Sequence, residues 1–287
     1  MLATNLSLTD TLPLTCSRSG TCCHGKAVWL NPWELAQLAT AKEQTPQEFR
    51  DKHTDFGGIR LLFDGSSMWK GLSACTLYTE NFGCSVHNGR PLACRLYPLG
   101  RKREGVNLNY IYQGSQFPCL AGCPEVTSLP QMSVSDYIAD QKAASYEEAQ
   151  DVYLDLVQDL ADGAFALLLE SGLSESGDTN TLKLWQTMGS ESPQKLTKRI
   201  SQKWLSELTT PSLSSALSSS DFCTAHHDLL QAKLQESFTT LTSLNDFHKA
   251  SCLMMSLALH LARSVGAHPK DFAKYWIATA KEHGALE

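Results

Sequence analysis

The sequence predicts a mainly α protein with two unlike halves: an irregular, cysteine-rich N-terminal half with short helices, and an all-helical C-terminal half. Three observations support this fold class. The 287 residues are 42% hydrophobic and 19% charged, which is typical of a globular chain that can bury a core. Eight of the ten cysteines precede residue 124, and helical hydrophobic periodicity dominates only the second half. We therefore expect two domains, at residues 1–134 and 135–287.

Two short helices are predicted early in the first domain. The sequence NPWE at Asn31 combines a capping residue, a proline at the first helical position and a glutamate three residues after the cap. The sequence TPQE at Thr45 repeats this pattern. From residue 57 to 111, frequent glycines and brief apolar runs favour short strands or irregular loops. Such a region needs something besides a large core to hold it, and bound metal would serve.

The second domain is predicted to be a helical bundle. Ser145, with Glu148 three residues later, has the pattern of a capping box that opens a helix to residue 170, and Gly172 ends it. Further helices are predicted at residues 193–208, 221–242, 245–265 and 269–283, with a serine-rich loop at 209–220.

Four residues of these helices receive specific interpretations. Cys223 and Cys252 are interpreted as buried helix residues, because a free cysteine usually acts as a small hydrophobe. Consecutive positions on a helix do not face one another, so His226 and His227 are interpreted as surface residues rather than as a metal-binding pair.

The charge pattern excludes several classes of function. The net charge is −6, and residues 1–134 carry 12 Lys+Arg against 10 Asp+Glu, without the dense basic face of a nucleic-acid-binding protein. The longest apolar run, residues 252–262, is far shorter than a membrane-spanning helix, and the N-terminus lacks the pattern of a secretory signal. We expect a cytoplasmic protein that contacts neither nucleic acid nor membrane, with a protein partner for the helical half as one hypothesis.

The concentrated chemistry of the chain is its N-terminal cysteines. In a reducing compartment, a dense set of thiols is more typical of metal binding than of disulfides. No CxxC pair of a zinc knuckle and no ferredoxin-type run occurs, so the spacing leaves both zinc and an iron–sulfur cluster open. The predicted metal ligands are Cys16, Cys22, Cys23, Cys75, Cys84, Cys94, Cys119 and Cys123.

Other polar side chains lie close to these cysteines in sequence. Arg90 and Arg95 flank Cys94, and a guanidinium there would stabilise the negative charge of a thiolate-bound cluster. We predict both as cofactor-binding residues, with the holding of a loop carbonyl as the alternative. His24 and His87 are possible ligands, although supporting or solvent-facing roles are favoured.

Several of these segments together resemble a known family. They are CSRSGTCCH at residues 16–24, the following VWL, CSVH at 84–87, RPLACRLYP at 90–98, and the pair Cys119 and Cys123. This combination resembles the YkgJ-type cysteine-cluster family of zinc- or iron-chelating proteins over roughly residues 14–142. Many members carry an additional cysteine where this chain has Ser19.

The resemblance implies metal or cluster binding. One relative, the flagellin lysine methylase, has a similar cysteine set associated with an iron–sulfur cluster, so a [4Fe–4S] cluster is preferred over zinc. We expect a metal-binding protein whose activity is otherwise unassigned. The alternatives are a cluster-dependent redox or protein-modifying enzyme and a purely structural zinc module.

Overall fold

The computed structural model describes residues 4–14, 20–104, 107–112, 130–172 and 180–285. The predicted mainly α class is confirmed, with most of the helical residues in the C-terminal half. The α-helices in the described ranges are α1 (Pro32–Ala41), α2 (Pro46–His53), α3 (Leu92–Leu96), α4 (Val134–Asp140), α5 (Ala144–Glu170), α6 (Asn180–Ser190), α7 (Pro193–Arg199), α8 (Gln202–Thr209), α9 (Ser219–Phe238), α10 (Leu244–Ser264) and α11 (Pro269–Glu282).

The strands are short and all of their described pairings are antiparallel. They are β1 (Thr4–Leu6), β2 (Thr11–Pro13), β3 (Thr54–Asp55), β4 (Arg60–Leu61), β5 (Gly65–Trp69), β6 (Leu72–Ala74), β7 (Tyr78–Thr79), β8 (Gly83–Cys84), β9 (Leu99–Glu104), β10 (Asn107–Tyr112) and β11 (Gln131–Ser133). One sheet has the order β1-β10-β9, and the other described strands form two-stranded pairs: β2 with β11, β3 with β4, β5 with β6, and β7 with β8. The pairs β5 with β6 and β7 with β8, together with β4, lie within residues 57–111, the region that was predicted to be short strands or irregular loops.

The predicted starts of α1 and α2 are confirmed. The Asn31 side chain accepts a hydrogen bond from the backbone N–H of Glu34, and the Glu34 carboxylate accepts one from the N–H of Asn31. Thr45 and Glu48 form the same reciprocal pair at α2. In each helix a proline occupies the first turn, where its missing N–H costs no hydrogen bond.

The predicted capping box at Ser145 is wrong. Helix α5 begins at Ala144, its N-cap is Ala143, and no side chain caps it. Glu148 instead accepts a hydrogen bond from the Ser219 hydroxyl at the start of α9. A contact between helices therefore replaces the local one that the sequence suggested.

The single helix predicted for residues 193–208 is two helices, α7 and α8. Ile200 has an extended backbone between them, and the Ser201 side chain accepts a hydrogen bond from the N–H of Trp204 as a new N-cap. The residues four apart that suggested one helix are nevertheless all buried: Leu196, Ile200, Trp204 and Leu208. Helices α3, α4 and α6 were not predicted.

Long helices form the main core of the C-terminal half. Helix α5 packs along α9 and α10, and α11 packs on α6. The apolar cluster of these helices also takes in buried residues of the first half, among them Trp33, Leu92, Leu96 and Leu99. A second, smaller cluster lies wholly within the first half, around Leu38 and Phe49.

Burial corrects one interpretation in the bundle. Cys223 is buried as expected, but His226 is fully buried as well and is not a surface residue. Its ring lies between the Tyr153 hydroxyl, 2.9 Å from Nδ1, and the carbonyl oxygen of Glu207, 2.8 Å from Nε2. Among the described helices, none combines the length and the apolar character that crossing a membrane requires.

Candidate metal centre

Five of the eight predicted ligands lie around one cavity in the first half. The cavity has a volume of about 60 Å³, and the thiols on its wall belong to Cys22, Cys23, Cys75, Cys84 and Cys94. The other three predicted ligands, Cys16, Cys119 and Cys123, lie outside the described residues. The structure thus brings together cysteines that are up to 72 positions apart in the chain.

Gly20 positions the adjacent pair Cys22 and Cys23. Its φ of +76° is a left-handed conformation that glycine adopts without strain, and a Cβ at this position would collide with the Tyr78 ring. The chain then enters a single 3₁₀ turn, Thr21–Cys23, closed by a hydrogen bond from the N–H of Cys23 to the carbonyl of Gly20. Both cysteines of the pair reach the cavity wall.

Short antiparallel pairings place the next two cysteines. The N–H of Cys75, just after β6, donates to the carbonyl of Cys23 at 2.7 Å, which ties this segment directly to the double-cysteine turn. Cys84 ends β8, where it pairs with Tyr78 of β7. Backbone hydrogen bonds therefore set the positions of both thiols.

Helix α3 carries Cys94 and is held to α1 by Glu34. One carboxylate oxygen of Glu34 accepts the N–H of Asn31, and the other accepts the N–H of Leu92 at 2.7 Å. Glu34 is fully buried, and burial raises its pKa to about 7 against the effect of these two N–H groups and of Arg95. One side chain thus caps α1 and fixes the start of the helix that delivers Cys94.

The two predicted cofactor-binding arginines have different surroundings. Arg90 lines the cavity, while its guanidinium also donates to the carbonyl of His87 and to the side chain of Gln141. Arg95 is buried and is not among the residues on the cavity wall. Its guanidinium donates to the carbonyls of Arg90, Gln141 and Asn88.

Arg95 also connects the two halves of the chain. Its guanidinium lies 4.0 Å from the centroid of the Tyr146 ring and donates to the Tyr146 hydroxyl. The Tyr137 hydroxyl of α4 lies 2.6 Å from the carbonyl oxygen of Tyr97. The segment around Cys94 is therefore braced by the beginning of the helical half.

Burial makes three of the thiols hard to ionise without a metal. It raises the pKa of Cys75 to about 12, and it raises the pKa values of Cys84 and Cys94 as well. A bound metal cation reverses this effect, because a thiol that coordinates a metal loses its proton. The positions of Cys75, Cys84 and Cys94 therefore suit thiolates only when a metal cation lies among them.

The two adjacent cysteines have pKa values shifted in opposite directions. The thiol of Cys23 donates a hydrogen bond to the sulfur of Cys22, which, with the nearby charges of Lys26 and Arg90, lowers the pKa of Cys22 to about 6 despite its burial. The same hydrogen bond, together with burial, raises the pKa of Cys23. The hydrogen bond thus favours a thiolate at Cys22 over one at Cys23.

Positive charge lines the cavity beside the thiols. Lys26 and Arg90 both lie on its wall, and the ammonium nitrogen of Lys26 is 3.0 Å from the centroid of the Tyr97 ring. A metal centre bound by four thiolates carries net negative charge, which such cations stabilise. Spacing alone gave no signal for Lys26, and sequence reasoning missed it.

His24 follows the double cysteine in sequence but is not among the residues on the wall of the cavity. Its ring is buried, and its Nδ1 lies 3.0 Å from the carbonyl oxygen of Gly20, which can only accept a hydrogen bond. Nδ1 therefore carries the proton, and Nε2 is left as an acceptor that has no hydrogen-bond partner among the described residues. Metal-binding histidines commonly donate their second ring N–H to a carbonyl in this way.

The described donor side chains line a cavity and do not converge on a single point. Within the described ranges, no three His, Cys, Asp or Glu side chains are grouped closely enough to hold a single metal ion. The thiols instead surround a cavity. Their chemistry fits zinc or iron, since thiolates prefer soft or borderline metals.

A comparison with known families agrees with this geometry. Residues 15–111 match the model of the CxxCxxCC family, described as "Putative zinc- or iron-chelating domain". The predicted resemblance is confirmed. The match supports a metal-binding role for the N-terminal half, and it includes all five cysteines of the cavity.

The CxxCxxCC match covers only part of the predicted metal site and none of the helical half. The motif in the family's name contains a cysteine at the position of Ser19, so this chain supplies three of its four cysteines. Cys119, Cys123 and the helical half lie beyond residue 111. No curated protein and no solved structure gave a significant match.

Proposed function

We propose that this protein binds an iron–sulfur cluster, a [4Fe–4S] cluster in preference to other types, through cysteines of the thiol-lined cavity. The observation that supports this proposal most directly is that five thiols surround one cavity, next to the cations Lys26 and Arg90. These thiols belong to Cys22, Cys23, Cys75, Cys84 and Cys94. Such a cluster takes four cysteine ligands. When bound, it supplies one-electron redox chemistry or a Lewis-acidic iron.

The spacing of the donors supports a cluster over a single zinc ion. A structural zinc ion holds four ligands within about 2.3 Å of one point. The described thiols surround a space instead of a point, and no three described donors are grouped for one ion. In a cluster, each thiolate binds its own iron, so the sulfurs lie further apart.

The cysteine content of the chain supports a cytoplasmic location as part of this proposal. The five thiols around the cavity are not joined to one another by disulfides, the adjacent pair Cys22 and Cys23 included. Free thiols in this number persist in a reducing compartment. The same compartment is where an iron–sulfur cluster with partly exposed ligands would survive.

Anaerobic purification followed by analysis for iron, zinc and acid-labile sulfide tests the proposal. We expect about four iron and four sulfide per chain, as a [4Fe–4S] cluster requires, and a brown protein whose visible absorption bleaches with dithionite. A colourless protein with stoichiometric zinc and no sulfide would contradict it and establish the structural zinc alternative.

A further inference from the structure

A second, larger cavity adjoins the thiol-lined one. It is a cleft of about 600 Å³ between the first half and the helical half, and it shares Lys26, Val28, Cys94 and Tyr97 with the wall of the metal cavity. Pockets that bind small molecules commonly have volumes of about 300–1,000 Å³. Metal retention alone does not require a cleft of this size beside the centre.

The helical half completes the cleft. Gln150 of α5 and Val265 and Gly266 after α10 line its far side. The Gln150 side-chain amide donates to the carbonyl of Val265 at 2.9 Å, which fixes this wall. The cleft is therefore a product of how the two halves pack, and its shape cannot be read from either half alone.

The charges on the cleft wall favour an anion. Its cations are Lys26 and Arg101, and its only carboxylate among the described residues is Glu34, whose two oxygens already accept backbone N–H groups. Arg101 is held by Asp151, with N···O distances of 2.7 and 2.8 Å. Lys26, whose ammonium lies over the Tyr97 ring, is at the junction with the metal cavity and lines both cavities.

The rest of the wall favours an apolar body on that ligand. Trp29 lies on the wall with Leu96 and Val265. The indole of Trp29 stacks on Phe56 with ring centroids 6.2 Å apart, so it is held as a rigid surface. Rigid aromatic and aliphatic walls with a few polar groups are typical of small-molecule sites.

We propose that this cleft binds a small organic carboxylate with an apolar or aromatic body, its carboxylate at Lys26 and its body against Trp29. A ligand in this position lies next to Cys94 and hence beside the metal centre. Binding of the carboxylate in the cleft does not depend on which metal the thiols hold. Any reaction of this ligand at the metal centre, however, rests on the iron–sulfur cluster proposed above.

Benzoate is the probe for this site, and benzamide is its neutral isostere. The protein, labelled with 5-fluorotryptophan, is followed by ¹⁹F NMR, and the Trp29 resonance is assigned by its loss in Trp29→Phe. We expect benzoate to shift this resonance saturably. Benzamide, and benzoate with Lys26→Met, should bind at least about tenfold more weakly, because each lacks one charge-assisted hydrogen bond.

A matched pair of variants locates the binding. Ala93 is an exposed alanine of α3 on the cleft wall, and Ala278 is an exposed alanine of α11 that does not line the cleft. Ala93→Phe fills the cleft and should abolish the benzoate shift, whereas Ala278→Phe should bind benzoate as the wild type does.

Three results would overturn the proposal: no shift of the Trp29 resonance up to the solubility limit of benzoate, equal binding of benzamide, or unchanged binding by Ala93→Phe. Iron, zinc and sulfide are measured on the same samples. Absent binding in a protein with a full cluster contradicts the cleft proposal alone, whereas binding in a protein without iron contradicts the cluster proposal alone.

Discussion

The two halves of the molecule are stabilised in different ways. The large apolar cluster contains 43 buried residues in the described part of the chain, most of them on the long helices, whereas the cluster beside the thiols contains 10. A small domain that cannot bury enough apolar surface usually needs a disulfide or a metal. From this difference we predict that the helical half folds by burial and that the thiol region depends on a bound metal.

Cysteines in the two regions have correspondingly different roles. Cys94 lies on the wall of the metal cavity, where it is surrounded by other thiols and by Lys26. Cys223 is 1% exposed in the helical core, where it packs among apolar residues and makes a hydrogen bond with the Tyr153 side chain. A comparison of the two positions therefore separates the contribution of metal from that of packing.

The largest expected effect comes from Cys94→Ala. Loss of this ligand should remove most of the bound metal and reduce the soluble yield, because metal-binding free energy contributes directly to folding in such a region. Cys223→Ala is the control and should keep its metal, with a loss of about 1 kcal/mol in the free energy of unfolding. Metal analysis and urea unfolding measure both effects. Equal metal loss in the two variants would mean that the centre is elsewhere.

Substitutions of the two arginines are expected to have effects of intermediate size on stability and metal content. Arg95→Gln leaves the carbonyls of Asn88 and Gln141 without their donor and should cost about 3 kcal/mol in the free energy of unfolding. Arg90→Gln should cost less stability and lower the metal content, because Arg90 lines the cavity. Urea unfolding and metal analysis of both variants check this. A larger loss of stability with Arg90→Gln than with Arg95→Gln would contradict it.

A smaller effect is expected in the helical half, in the pH dependence of its stability. Burial lowers the pKa of His226 from 6.5 to about 4, because a charged imidazolium inside the helical core would lose its hydration. Between pH 6.5 and 4 the unfolded state binds more protons than the folded state, so stability is full above pH 6.5 and falls as the pH drops.

His226→Gln tests that pH dependence, since a glutamine can still accept from Tyr153 and donate to Glu207. The wild type should lose about 2 kcal/mol more than this variant between pH 7 and pH 5. The measurement is the urea midpoint monitored by circular dichroism at each pH. Parallel pH profiles for the two proteins would show that His226 does not titrate in this way.

Local patterns predicted the parts of the fold that depend on local interactions. The cap at Asn31 and the end of α10 near Gly266 agree with the structure, since each is decided by residues within one helical turn. The capping box at Ser145 failed because Glu148 contacts Ser219, 71 positions away. The burial of His226 was missed for the same reason, since its partners lie on other helices.

The candidate site was predictable in its chemistry but not in its shape. Cysteine density and the double-cysteine opening pointed to metal binding, and five of the predicted ligands line one cavity. Neither the cation Lys26 nor the cap formed by Glu34 on α3 could be inferred, because both depend on contacts between segments distant in the chain. The sequence of residues 90–98 likewise gave no means of predicting that Arg90 lines the cavity whereas Arg95 does not.

Hydrogen exchange with and without metal tests the central claim most directly. After anaerobic chelation, peptides covering residues 20–104 should lose protection, including the Cys75 amide that bonds to Cys23, while peptides from α5 and α10 should keep theirs. Unchanged protection in residues 20–104 would show that the small apolar cluster holds this region without metal. Simultaneous loss of protection in both halves would show that the two regions are not stabilised separately.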